Sequence, residues 1–68
     1  MASLQTVFCR SEEVGSKPVY RVADGVDGFK AREICKNEKD KHPEYLFFWA
    51  DSNAGLYQDA VPYSELMA

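Results

Sequence analysis

Few side chains in this sequence have the types and spacing that catalysis or metal binding requires. His42 is the only histidine, and it lies in a charged stretch next to Pro43. Cys9 and Cys35 are far apart in the chain, and neither has the local signature of a catalytic nucleophile. A zinc site needs four ligands, which two cysteines and one histidine do not supply. The sequence therefore predicts a protein that is not an enzyme and holds no metal and no cofactor.

Residues 24–28 (DGVDG) place two carboxylates beside two glycines, as calcium loops do. The stretch lacks the alternating oxygen ligands and the distal glutamate of an EF-hand, so turn and helix-cap chemistry explains it better. The chain also has no glycine-rich phosphate loop. These absences favour a function in binding over one in catalysis.

The aromatic residues are the most informative feature. The chain has four phenylalanines, four tyrosines and one tryptophan, and four of these nine fall within five consecutive positions. In a strand, Tyr45, Phe47 and Trp49 point to one side, whereas Leu46 and Phe48 point to the other. Both sides are apolar, which is typical of a strand that is covered on both faces.

A single helix covers only one face of a sheet, so one side of this strand is expected to stay open. The smaller pair, Leu46 and Phe48, suits packing beneath the helix. The larger aromatic side is then expected to bind a partner, because Tyr and Trp are enriched in interfaces. The predicted partner-binding residues are Tyr45, Phe47, Trp49, Tyr57 and Tyr20.

The elements that position these residues follow from local composition. The predicted strands lie at 4–10, 19–23, 45–50 and 56–61, and the predicted helix lies at 29–41. The polar loop 11–18 joins the first two strands as a hairpin, and a turn at 51–55 joins the last two. The expected fold is therefore α+β, in the order β-β-α-β-β, with one helix on one face of a small antiparallel sheet.

The helix has a predicted start and a predicted apolar face. Asp24 or Asp27 is expected to cap its first turn. Phe29 falls on the opposite side and is expected to be buried at the helix entrance. The predicted apolar face has the spacing i, i+3, i+4 and consists of Ala31, Ile34 and Cys35.

Residues 29–66 also resemble the later strands of Tudor and chromo-barrel domains. Their last segment, 61–66 (VPYSEL), is similar to a "V-P-x-S-x-L" ending in those families. The resemblance implies an all-β SH3-like barrel that reads methylated Lys or Arg through an aromatic cage. In that alternative the cage residues are Tyr20, Phe47, Trp49 and Tyr57.

Length, charge and hydropathy limit the number of domains, the kind of partner and the cellular location that the sequence allows. A chain of 68 residues is expected to form one domain spanning 1–68, and its net charge of -3 disfavours nucleic acid as a partner. A basic stripe of Arg32, Lys36 and Lys39 keeps weak nucleic-acid binding as an alternative. Membrane-spanning and secretory segments are not indicated, so the expected location is the cytoplasm, with Cys9 and Cys35 as reduced thiols.

The function favoured by the sequence is that of a non-catalytic protein-binding domain. It is expected to dock its aromatic sheet surface onto a larger protein, as an inhibitor or an adaptor. Its small size and lack of motifs are typical of accessory proteins encoded by phages or mobile elements, an association at the level of size alone. A homodimer that buries Tyr45, Phe47 and Trp49 is the alternative assembly.

Overall fold

Four strands form one sheet in the computed structural model, which describes residues 3–11 and 18–67. Two helices and a 3₁₀ turn at Ser52–Ala54 complete the described part of the chain. The strands are β1 (Gln5–Ser11), β2 (Tyr20–Val26), β3 (Tyr45–Asp51) and β4 (Val61–Pro62), and the helices are α1 (Gly28–Lys41) and α2 (Tyr63–Met67).

The sheet is open and mixed, with the strand order β3-β1-β2-β4. Strand β1 lies at the centre and pairs antiparallel with both β2 and β3, whereas β4 pairs parallel with β2 through two residues. Helix α1 packs on one face of the sheet, most closely against β3 and β1. The predicted α+β class is therefore confirmed, and the alternative closed barrel is wrong.

Helix α1 begins at a well-formed cap. The Asp27 carboxylate accepts a 2.7 Å hydrogen bond from the Lys30 N–H, which is otherwise without an acceptor in the first helical turn. The helix ends one residue before His42, whose N–H donates to the Glu38 carbonyl at 2.8 Å. Lys39 and Lys41 lie in the last turn, where positive charge suits the helix dipole.

All four strands differ in their boundaries from the predicted ranges, and the second and fourth differ most. Strand β2 continues to Val26, so Asp24 is a strand residue and Asp27 alone caps the helix. Residues 56–59 form a turn, which leaves a fourth strand of only two residues. That strand runs parallel to β2, not antiparallel as expected, because residues 52–60 cross from β3 to the far side of the sheet before β4 begins. Most of the predicted loop 11–18, namely 12–17, lies outside the described residues.

The core between α1 and the sheet is small and made of small side chains. Val7, Ala31 and Cys35 are buried at its centre. Around them pack Val22, Ala23, Val26, Ile34 and Phe47. Register shifts between β1 and β2 allow both Val22 and Ala23 to reach this core.

Two expectations about this core are wrong. Phe47, not Leu46 or Phe48, packs against the side of the sheet that α1 covers. The expected orientation of β3 is therefore reversed. Phe29 is not buried at the helix entrance, because its side chain is 79% exposed on the outer side of α1.

Candidate functional site

The strand register defines the sheet face that α1 does not cover, called here the open face. Residues directly opposite in an antiparallel pair point to the same side of the sheet. Phe8 lies opposite Phe48 on β3 and opposite Arg21 on β2. Arg10 lies opposite Leu46. Val7 packs against α1 in the core, and side chains alternate along β1, so Phe8, Arg10 and the residues opposite them point to the open face.

Three aromatic rings form a cluster on the open face. Phe8 and Phe48 stack with their centroids 5.6 Å apart, and Tyr57 meets both rings edge-on at 5.1 and 5.6 Å. Phe8 is buried at the bottom of the cluster, whereas Tyr57 and Leu46 at its rim are each 41% exposed. We call these four residues the open-face patch.

Tyr57 reaches the cluster through an unfavourable backbone conformation. Its φ of 54° lies in the left-handed region, where a residue other than glycine, asparagine or aspartate is uncommon. Gly55, two residues earlier, also has a positive φ of 67°, which suits glycine. The ring contacts with Phe8 and Phe48 offset the backbone cost at Tyr57. The turn at 56–59 therefore holds a tyrosine over the open face.

A polar cluster lies at the other end of the open face. The buried Thr6 hydroxyl donates to an Asp24 carboxylate oxygen at 2.7 Å, and the Ser52 hydroxyl lies 2.8 Å from the same threonine oxygen. The hydrogen bond from Thr6 lowers the pKa of Asp24 below its ordinary value. These hydrogen bonds connect β1, β2 and the turn after β3. Their role is therefore to stabilise the fold.

On the helix side of β3, the C-terminal segment covers Phe47. The Tyr63 ring meets Phe47 edge-on at 6.3 Å, and the Tyr63 hydroxyl donates to a Glu38 carboxylate oxygen of α1 at 2.9 Å. Burial and this hydrogen bond raise the pKa of Tyr63. Trp49, two residues along β3, remains 43% exposed near the edge of the sheet.

The five residues expected to bind a partner do not form one surface. By register, Tyr45, Phe47, Trp49 and Tyr20 lie on the helix side of the sheet, whereas Tyr57 lies on the open face. The aromatic cage expected for a barrel does not form either, because Tyr57 lies on the opposite face of the sheet from Tyr20, Phe47 and Trp49. Sequence reasoning missed Phe8 and Leu46 as surface-forming residues. The signal that could have identified Phe8 is the alternation of side chains along β1. Phe8 and Arg10 lie on one side of that strand, and Val7 and Cys9 lie on the other.

Within residues 3–11 and 18–67, no cluster of three or more histidine, cysteine, aspartate or glutamate side chains is arranged to hold a metal ion. Cys9 and Cys35 are free and buried, and burial raises the pKa of each thiol to about 11. Such thiols are poor nucleophiles at neutral pH, because little thiolate is present. Both cysteines are therefore explained as small core residues.

The outer side of α1 bears a shallow cavity of about 270 Å³ lined by Phe29, Arg32, Glu33 and Lys36. All four residues are exposed and belong to one helix. The cavity is the space between protruding side chains, so it does not have the enclosure of a small-molecule site.

No helix in the described parts of the chain has the length and apolar character needed to cross a membrane. No protein-family model matches this sequence, no curated protein is significantly similar to it, and no solved structure matches it significantly. Function is therefore inferred from the surfaces of the chain itself.

Proposed function

We propose that this chain is a non-catalytic protein-binding domain that docks the open face of its sheet onto a larger protein. The observation that carries the proposal is the open-face patch, in which Phe8, Phe48 and Tyr57 meet and Leu46 extends the apolar rim. The turn at 56–59 packs over part of this face and buries Phe8, and the rim residues Leu46 and Tyr57 are each left 41% exposed. Exposed apolar patches on small domains mark interaction surfaces.

The surroundings of the patch suggest what the partner presents. Arg10 is exposed beside Leu46, and Arg21 is half-buried beside Phe8. An aromatic centre with arginine at its rim is the composition that interface hot spots favour. The partner is expected to offer apolar side chains to the patch and carboxylates to the two arginines.

The strained backbone of Tyr57 further supports a binding role. Unfavourable φ values persist where the surrounding structure enforces them, and they concentrate at functional sites. Here the strain keeps a half-exposed aromatic ring at the rim of the patch. Such a ring is already in place before a partner arrives, which lowers the entropic cost of binding.

A domain of this kind acts by occupying a surface of its partner, as an inhibitor or an adaptor. The two unpaired thiols favour the reducing environment of the cytoplasm. The association with phage or mobile-element proteins rests on size and lack of motifs, and the structure adds no support to it.

The proposal is tested with tagged wild-type chain and two patch variants in extracts of the native host cell. Leu46→Glu places a charge on the rim, and Tyr57→Gly removes the ring at a backbone conformation that glycine tolerates. We expect a stoichiometric partner to bind the wild type and to be lost from both variants. With the purified partner, each substitution is expected to weaken binding by about 2 kcal/mol.

Phe29→Ala is the matched control, because Phe29 is a more exposed aromatic residue on the far side of α1. Its partner binding is expected to equal that of the wild type. Far-UV circular dichroism and thermal melts show whether each variant is folded. Capture of no stoichiometric partner, or equal capture by all folded variants, would refute docking through the open face.

A further inference from the structure

Strand β3 has an outer edge that pairs with no strand among the described residues, because it is the first strand in the order β3-β1-β2-β4. The Ser52 N–H donates to the Leu4 carbonyl at 2.9 Å, one step beyond the pair of Gln5 and Asp51. Hydrogen-bonded pairs recur at every second position of a regular antiparallel ladder. The backbone groups of Phe47 and Trp49 therefore point outward, away from β1.

Lys39 of α1 shows which side of the helix faces this edge. Its ammonium group donates to the Tyr45 carbonyl at 2.6 Å and to the Pro43 carbonyl at 2.8 Å. By the same alternation the Tyr45 carbonyl belongs to the outer edge. The Tyr45 N–H already donates to the His42 carbonyl, so the start of β3 is occupied and the open stretch of the edge lies at Phe47 and Trp49.

A row of basic side chains runs along α1 from this edge toward the outer side of the helix. Arg32 and Lys36 precede Lys39 by seven and three residues, so helical geometry places all three on one side of the helix. Arg32 and Lys36 are exposed. The row spans about 10 Å, the length of about three strand residues. We call these three residues the basic row.

We propose that the outer edge of β3 and the basic row together bind an extended acidic segment of another protein as an added strand. Backbone hydrogen bonds to Phe47 and Trp49 would hold the segment, as in other complexes formed by strand addition. Its side chains alternate between the two faces of the extended sheet. Those on the helix side would meet the basic row, and those on the other side would meet Leu46 and Phe48.

The partner chemistry follows from this alternation. Carboxylates at every second residue suit the basic row, and apolar side chains at the intervening residues suit Leu46 and Phe48. The acidic side chains of α1 do not face the edge. Glu38 accepts the bond from Tyr63. Glu33 and Asp40 flank Lys36 on the outer side of the helix, and both lie about a third of a turn round the helix from Lys39, which faces the edge.

Charge also decides against a second copy of this chain as the occupant. Two β3 strands paired about a two-fold axis would place their basic rows on the same side of the joined sheet. The one carboxylate of β3, Asp51, lies at the end of the strand and accepts a 2.9 Å hydrogen bond from the Asn53 N–H, so it offsets little of that repulsion. A separate acidic segment meets no such repulsion, so it is the favoured occupant.

The test uses the whole chain and an acetylated, amidated peptide of alternating sequence, Val-Glu-Val-Glu-Val-Glu-Val. Trp49 is the only tryptophan and lies at the edge, so its fluorescence reports binding directly. We expect saturable binding that weakens as salt is added. Amide hydrogen exchange is expected to slow at Phe47 and Trp49. The same peptide with N-methyl groups on alternate residues is expected not to bind, since it cannot complete the ladder.

Charge reversal tests the basic row. Arg32→Glu together with Lys36→Glu is expected to weaken binding of the glutamate peptide by about tenfold or more and to create binding of the matching lysine peptide. The control Lys30→Glu, which reverses one charge of the same helix off the row, should leave affinity within about twofold of the wild type. Gain of lysine-peptide binding excludes misfolding as the cause of the loss.

Three outcomes would overturn the proposal. They are unchanged affinity after charge reversal, peptide binding without protection of the Phe47 and Trp49 amides, and a self-associated chain in which those amides are already protected. The edge site shares Leu46 and Phe48 with the open-face patch but does not include Tyr57, so Tyr57→Gly should abolish docking of the partner and change peptide affinity much less than charge reversal does. Failure of the edge site is thereby distinguished from failure of docking through the open face.

Discussion

At the scale of single residues, the hydrogen bond between Thr6 and Asp24 has a measurable electrostatic effect. The Thr6 hydroxyl, which is buried, stabilises the ionised form of the exposed Asp24 carboxylate, and this lowers its pKa. A carboxyl group whose pKa is lowered by folding stabilises the native state above its ordinary pKa of about 3.9. The contribution is lost as the pH falls through the folded-state value.

We therefore expect Thr6→Val to raise the pKa of Asp24 toward its ordinary value. Valine has the shape of threonine without the hydroxyl, so the packing of β1 is largely retained. The measurement is a carbon-detected NMR titration of the Asp24 carboxyl group. Thr6→Ser, which keeps the hydroxyl, is the control and should leave the pKa low. An equally low pKa in the valine variant would show that Ser52 or the backbone dominates.

The residue scale also explains why the orientation of β3 was not predictable from β3 alone. Its sequence is apolar on both sides, so neither side is excluded from the core. The choice depends on the opposite strand, where Val7 and Cys9 leave room for α1 and Phe8 does not. The small residues Ala31 and Cys35 on α1 complete that match. The side-chain volumes on the paired strand determine which side of β3 packs against α1. They depend on the strand register, which the sequence of β3 alone does not specify.

At the scale of elements, the cap of α1 is a separable source of stability. The Asp27 carboxylate bonds the Lys30 N–H at 2.7 Å at an exposed helix start. Asp27→Ala is expected to lower the free energy of unfolding by about 1 kcal/mol, and Asp27→Asn much less. Urea denaturation measures both.

Asp40→Ala is the matched control, because Asp40 is an exposed aspartate in the same helix but near its negative end. Removal of that carboxylate should leave stability unchanged or raise it slightly. Equal losses at positions 27 and 40 would mean that general charge, not capping, sets the effect.

The elements themselves were predictable to different degrees. The helix and the first three strands have clear local signals, such as the capping aspartate and Pro43 after the helix. The fourth strand did not form over 56–61, because Tyr57 packs on Phe8 and Phe48 and turns the chain. The contact of Tyr57 with Phe8 joins residues about fifty positions apart in sequence, a distance over which composition gives no guidance.

At the scale of the whole molecule, the core holds three groups that must stay protonated. Burial raises the pKa of Cys9 and Cys35 from 9.0 to about 11, and burial with the bond to Glu38 raises that of Tyr63. Groups with raised pKa values stabilise the native state fully below their ordinary values. That stability is lost as the pH rises through the folded-state values.

We expect the free energy of unfolding to fall between about pH 9 and pH 11, the interval set by the two thiols. Denaturation by urea at several pH values measures the slope. In the double variant Cys9→Ala and Cys35→Ala, which has no thiol to ionise, the slope over this interval should become smaller. An unchanged slope would assign the alkaline loss to Tyr63.

The two edges of the sheet are unlike, and this limits how the protein can assemble. Strand β4 has two residues, and one of them, Pro62, has no N–H to donate. Growth of a fibre by pairing of strand edges requires an unpaired strand edge on both sides of each unit. This molecule offers a long edge at β3, whereas the opposite edge is interrupted, because β4 pairs with only Tyr20 and Arg21 of β2 and contains Pro62. An interrupted edge is a poor acceptor for the β3 strand of another copy, which favours a finite complex over a polymer.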